Sequence, residues 1–295
     1  MFDLALTVDG HEIGLFSLIA LGAGVGVVAG MFGVGGGFLL VPLLGALLGV
    51  PLPAAVAAGL CQTIATGLGA FFRYRSMGHA ESRFDILLIG GSLFGIHAGT
   101  RLLHALDGMG TVHVFGNQVG VLRLCVTAGY VALFIVMAAI LWFKPSPALT
   151  ADVAPGPLAR VAIPPRVQLH VAGMRVSGPF VGLVGCANGI LAGLLGIGGG
   201  IVLIPIMLYG FGFNIRQTAG TGTVVVLIIA VIGTVQHAFA GTLHLGLAMT
   251  LSVGSALSAQ VGANLTRTLP PTHLRRGLAA VLVITIAVLL IRLGR

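Results

Sequence analysis

The 295-residue chain is 57% hydrophobic and only 7% charged, with a mean hydropathy of +1.10. A soluble domain of this length cannot cover its surface with so few charges. The formal charge of +8 does not point to nucleic acid either, because the basic residues punctuate the ends of apolar stretches and form no patch interleaved with aromatics.

The remaining class is an integral membrane protein, and apolar runs of 15 to 24 residues without alternation make it all-α rather than a barrel. Asp3, Asp9 and Glu12 precede the first run, with no Lys or Arg before it. That is a poor signal peptide, so the first segment is expected to be retained. The first half, 1–143, reads as apolar segments 13–32, 36–50, 55–72, 86–103 and 119–142. A stretch at 144–175 follows as a linker. Within 144–166 lie Pro145, Pro147, Pro155, Pro157, Pro164 and Pro165, so it is expected to be non-helical, mobile and cytoplasmic. The second half, 176–295, reads as 177–195, 199–213, 217–239, 245–266 and 276–291.

The two halves carry one glycine pattern. Gly22, Gly26, Gly30, Gly33, Gly35, Gly36, Gly37 and Pro42 recur 163 positions later as Gly185, Gly189, Gly193, Gly196, Gly198, Gly199, Gly200 and Pro205. The glycines spaced by four line one helix face, where another helix can approach closely. The clustered glycines are different. Four in five positions disfavour a helix by up to about 1 kcal/mol each relative to alanine, permit φ > 0 and bare backbone amides. A short apolar segment follows each cluster. Fifteen residues rise about 22 Å against a hydrocarbon core of about 30 Å, so these are expected to be broken or re-entrant helices.

With the N-terminus outside and ten crossings, the inside holds Arg73, Arg75, Arg83, Lys144, Arg160, Arg166, Arg175, Arg216, Arg267, Arg275 and Arg276; the outside holds Arg101, Arg123, Arg292 and Arg295. That asymmetry obeys the positive-inside rule and makes the halves two inverted repeats of five segments, an arrangement found in transporters.

No acidic residue lies within an apolar segment, so a midplane carboxylate relay is not expected. An anion site without a fixed cation is therefore the chemistry to look for. Exposed loop amides at Gly33, Gly35, Gly36, Gly37, Gly196, Gly198, Gly199 and Gly200 supply donors. Gln62, Thr63 and Thr66 follow the first short segment, and Thr221, Thr223, Gln236 and His237 follow the second. Asn188 lies one residue before Gly189. His97 and Arg101 share a helix face, as do Gln260 and Asn264, which stand at the same places in the second half. These pairs are expected to line a shared path. His97 and His237 are the candidates for proton coupling, because imidazole titrates near neutral pH. Cys61, Cys125 and Cys186 show no metal-ligand spacing, and no metal or other cofactor is expected. The soluble glycine-loop motifs fail, since Phe38 stands where a GxGxxG needs glycine and no Lys-Ser/Thr pair follows.

The run Ala29-Gly30-Met31-Phe32-Gly33-Val34-Gly35-Gly36-Gly37-Phe38-Leu39-Leu40-Val41-Pro42, repeated from Ala192 through Pro205, resembles the TauE/SafE family of sulfite exporters. Ala219 to Thr223, Gly95 to Arg101 and Ser258 to Asn264 are further family-like pieces, while Leu60 and Cys61 depart from the family's small polar pair. The resemblance implies a non-enzymatic, multi-pass exporter of small sulfur-containing anions, such as sulfite, sulfoacetate or thiosulfate, in a bacterial inner membrane. The alternatives are an anion channel and an intramembrane sulfur-handling protein using Cys61.

Overall fold

The computed structural model describes residues 5–8, 11–32, 35–75, 81–114, 117–143, 155–268 and 271–293. Among them are ten helices in two sets of five. The first set is α1 (Leu15–Phe32), α2 (Gly37–Leu48), α3 (Leu52–Arg75), α4 (Ser82–Asp107) and α5 (Val121–Phe143). The second is α6 (Gly178–Leu195), α7 (Gly200–Pro205, continued by a wider π turn over Ile206–Phe211), α8 (Ile215–Phe239), α9 (Leu245–Thr268) and α10 (Pro271–Leu293). Six stretches are long and apolar enough to cross a membrane: α1, α4, α5, α6, Gln217–Phe239 of α8 and Leu245–Leu265 of α9. Short hairpins precede α1 (Ala5–Val8 with His11–Gly14), α5 (Thr111–Val114 with Asn117–Gly120) and α6 (Arg166–Gln168 with Arg175–Ser177).

The packing repeats when the halves are exchanged. α1 lies on α9 as α6 lies on α4; α3 touches α9 as α8 touches α4; α10 touches α2 as α5 touches α7; and α3 packs on α8. The glycine faces account for the closest seams. A Cβ added at Gly22, Gly26 or Gly30 would run into the backbone of Leu251, Ser255 or Ala259 in turn. One added at Gly91, Gly95 or Gly99 would meet Gly182, Cys186 or Ile190. Both series ascend together, so α1 runs in the same direction as α9, and α4 in the same direction as α6. In lipid there is no hydrophobic drive between helices, and close backbone approach over small residues takes its place.

The main core joins Phe38, Leu40 and Leu44 of α2 to Tyr130 and Phe134 of α5 and to Leu195 and Ile197. A second cluster sits at the other end of the bundle, where Phe84 meets Phe211 and Phe213 edge-on at centroid distances of 5.0 and 4.9 Å. The chain from Gly156 onward belongs to this cluster. Gly156 and Leu158 donate backbone hydrogen bonds to Phe211 and Gly210, and Leu169, Met174 and Val176 are buried. This part of the expected mobile linker is therefore packed structure; residues 144–154 lie outside the described residues. Proline does rule out a helix there, but it leaves apolar residues free to dock as turns and a hairpin.

Glu81, 2% exposed, holds this region: its carboxylate accepts from the backbone N–H of Val171 (2.6 Å) and Ala172 (3.4 Å). Glu81→Ala is expected to lower stability by about 1–3 kcal/mol and to open the 166–177 hairpin to limited proteolysis. Unchanged cleavage kinetics would remove Glu81 from this role.

Candidate functional site

Each first helix of a half ends in the glycine cluster, and the two clusters come together on α3. A Cβ built at Gly35 or at Gly198 would lie 2.8 Å from the same methyl, Cγ2 of Thr63. Both glycines have positive φ, +78° and +62°, so the sequence reading of the turn is met at these positions. The N–H of Gly37, at the start of α2, points at Thr63 Oγ1 (3.4 Å), while that hydroxyl donates to Gly59 O (2.9 Å). Gly37 also abuts the Gly196 carbonyl of the other loop, and Gly196 itself closes α6 with φ +67°. Gly33 lies outside the described residues; Gly200 is buried at the first position of α7.

Two carboxamides face these loops. Gln62 is fully buried and lies against Gly36, whose added Cβ would sit 2.6 Å from its Cδ. Asn188, 1% exposed, lies against Gly199 in the same way, at 3.0 Å from its Cγ. All four polar atoms, Oε1 and Nε2 of Gln62 and Oδ1 and Nδ2 of Asn188, are buried without a hydrogen-bond partner. Leaving a buried amide unpaired costs about 1–3 kcal/mol each, so each loop faces one carboxamide whose hydrogen-bonding capacity the protein itself does not use.

The centre is not symmetric. At the offset of the repeat, Val225 stands where Gln62 does, Val226 where Thr63 does, and Val25 where Asn188 does. The polar groups therefore come from α3 and α6, and their counterparts on α8 and α1 are apolar.

The other expected site residues are distributed differently. Thr221 is buried but accepts from the backbone N–H of Glu81 (3.0 Å), near the start of α8, and Thr223 donates to Ala219 O (2.7 Å) within its own helix. His97, Arg101, Gln260 and Asn264 are exposed on the outside of the bundle. The reason is the glycine seam: Gly95 and Gly99 face α6, and Gly262 faces α1, which turns the residues two positions away outward. His237 is buried at the far end of α8. Its Nδ1 is 2.9 Å from Thr242 Oγ1, and its ring lies 5.9 Å from that of His104 on α4; both Nε2 atoms are buried without a partner. His237 interacts with the backbone of Gly193 on α6, one turn before Gly196, and with none of the described loop glycines themselves.

A cavity of about 700 Å³ opens at the end of the bundle where α2 turns into α3. It is lined by Asp107, Arg123, His244 and Arg292 near its rim and by Val126, Thr127 and Tyr130 along α5. None of the loop glycines lines it. The connection is Tyr130, whose hydroxyl donates to the carbonyl of Leu195, the residue before Gly196. We place the candidate site at the loops rather than in this cavity, because the unpaired buried carboxamides are at the loops.

A family model described as "Sulfite exporter TauE/SafE" matches residues 18–289 of the chain. Nothing matches among curated proteins, and nothing among solved structures.

Proposed function

The chain belongs to the sulfite exporter TauE/SafE family of membrane transport proteins, and from that premise we propose that it carries small sulfur oxyanions past the two glycine loops by alternating access. The observation that carries this reading is the pair of buried, unpartnered carboxamides of Gln62 and Asn188 laid against Gly36 and Gly199. Their N–H groups are unspent donors in a buried place, where each bond to a charged oxygen is worth most; the Thr63 hydroxyl, already donating to Gly59 O, and the Gly37 N–H behind it hold the two loops in position.

The halves act as inverted repeats with re-entrant short helices. Support comes from three sides. α1 parallels α9 and α4 parallels α6, the pairing that two inverted halves with α1 opposed to α4 would give. Gly49 to Ala54 share the cavity wall with Gly241 to His244, so α2 returns to the end from which α1 and α9 start. The basic residues concentrate at the opposite end. By the positive-inside rule the cavity with Arg123 and Arg292 then faces outward, and Tyr130 separates it from the loops. The bacterial inner membrane is the setting this reading assigns.

Purified protein in liposomes is expected to give saturable sulfite flux driven by a gradient; flux linear in concentration would favour a channel instead. Cys61→Ser is expected to leave that flux within about twofold of wild type, since no metal-holding cluster accompanies the thiol among the described residues. A dead Cys61→Ser variant that still folds would revive the sulfur-handling alternative.

A further inference from the structure

The loop site, taken as the transport site just proposed, has a charge preference built into it. Among the helices that meet there, α1, α2, α6 and α7 contain no Lys, Arg, Asp or Glu; α3 has none before Arg73, and α8 none after Arg216. The cargo is held by dipoles alone. The cost of stripping water from an ion grows with the square of its charge, whereas the attraction of a fixed set of dipoles grows only in proportion to it. A site of this kind favours one negative charge over two.

The carboxamides add a second constraint. Gln62 Oε1 and Asn188 Oδ1 are buried acceptors without a donor, alongside the unpaired Nε2 and Nδ2 donors. A fully deprotonated oxyanion offers only acceptors, so it satisfies the nitrogens and leaves the oxygens empty. An oxyanion carrying one O–H accepts from the nitrogens and also donates to one of the two oxygens.

We propose that the species carried is a singly charged oxyanion that retains a proton on oxygen, hydrogen sulfite in preference to sulfite. The proton then crosses on the cargo: one proton accompanies each sulfur, and it is released on the far side as hydrogen sulfite dissociates to sulfite. This reading needs no carboxylate at the loops; contrary to the sequence expectation, the membrane-length helix α4 does hold a buried one, Asp85, in its first turn, three residues beyond Ser82.

The test uses the full chain in liposomes with equal pH on both sides and protein-free liposomes as the blank. The titratable side chains that the surrounding helices carry toward the bundle are Cys61, Cys186, Tyr130, His237 with His104 beside it, and the buried Asp85 of α4 with Glu81 one turn before it. Methanesulfonate, singly charged and without an O–H, controls for them, because it does not titrate in this range. Between about pH 6 and about pH 9, the total sulfite needed for half-saturation is expected to rise by about tenfold per pH unit once hydrogen sulfite is the minor species. Methanesulfonate should compete weakly with a flat pH profile, sulfate should not compete, and a trapped pH dye should record acidification with sulfite only. A half-saturation value independent of pH, or sulfate competing as well as sulfite, overturns the proposal while leaving the transporter reading intact. Absence of saturable flux for every anion removes that reading and this inference with it.

Discussion

Replacing Asn188 by Leu, or Gln62 by Met, is expected to cut saturable sulfite flux by roughly ten- to a hundredfold, the worth of one hydrogen bond to a charged group. The same substitutions are expected to leave thermal stability unchanged or raise it by about 1 kcal/mol. The two signs come from one fact. Both side chains are fully enclosed, and neither makes a hydrogen bond to the protein. Removing an amide that has no partner returns its desolvation cost, and the near-isosteric Leu and Met keep the volume filled. A residue kept for packing would behave the other way, with stability falling and flux following it. A melting curve on detergent-solubilised protein beside a flux assay separates the cases. Full flux in both variants, or a drop in stability that matches the loss of flux, would take the carboxamides out of the site.

Gly37→Val and Gly199→Val are expected to abolish flux below detection while the protein still inserts into the membrane. At Gly37 the added carbon would overlap the carbonyl oxygen of Gly196, backbone against backbone, with no side chain able to swing away. At Gly199, φ is +84°, and the added carbon would occupy the place of the Asn188 amide. A left-handed backbone costs an L-residue about 1–2 kcal/mol before any collision is counted. Gly49 supplies the control. Its φ is +68°, yet nothing lies within 4 Å of an added Cβ. Gly49→Ala should therefore cost only about 1 kcal/mol of stability and keep its flux. If all three variants transport alike, the loops are merely turns.

The sequence exposes the repeated loops and their helices because glycine and apolar runs act locally. The expected segments 13–32, 36–50, 177–195 and 199–213 correspond to helices at Leu15–Phe32, Gly37–Leu48, Gly178–Leu195 and Gly200–Phe211. Pairing across the molecule was not legible in the same way. Thr63 is adjacent in sequence to Gln62 and far from Gly198, and only the packing of α3 between the halves puts one methyl against both loops. Asn188 was visible as a polar residue in an apolar helix, but its facing Gly199 depends on how the chain folds back after Gly196. For His97 and Arg101 the four-residue spacing fixed a shared face and left open which way that face turns. The deciding signal was present beside them. Gly91, Gly95 and Gly99 mark the side of α4 that another helix must occupy, and His97 lies on the opposite side.

The seams between α1 and α9 and between α4 and α6 also govern how the molecule can be made. Each half lends its first helix to the fourth helix of the other. As the chain leaves the ribosome, α1 has a bare glycine groove whose complement is α9, so that groove stays unfilled in the lipid until the seven helices between the two, and then α9 itself, have been made. The two halves are thus cross-stitched rather than stacked.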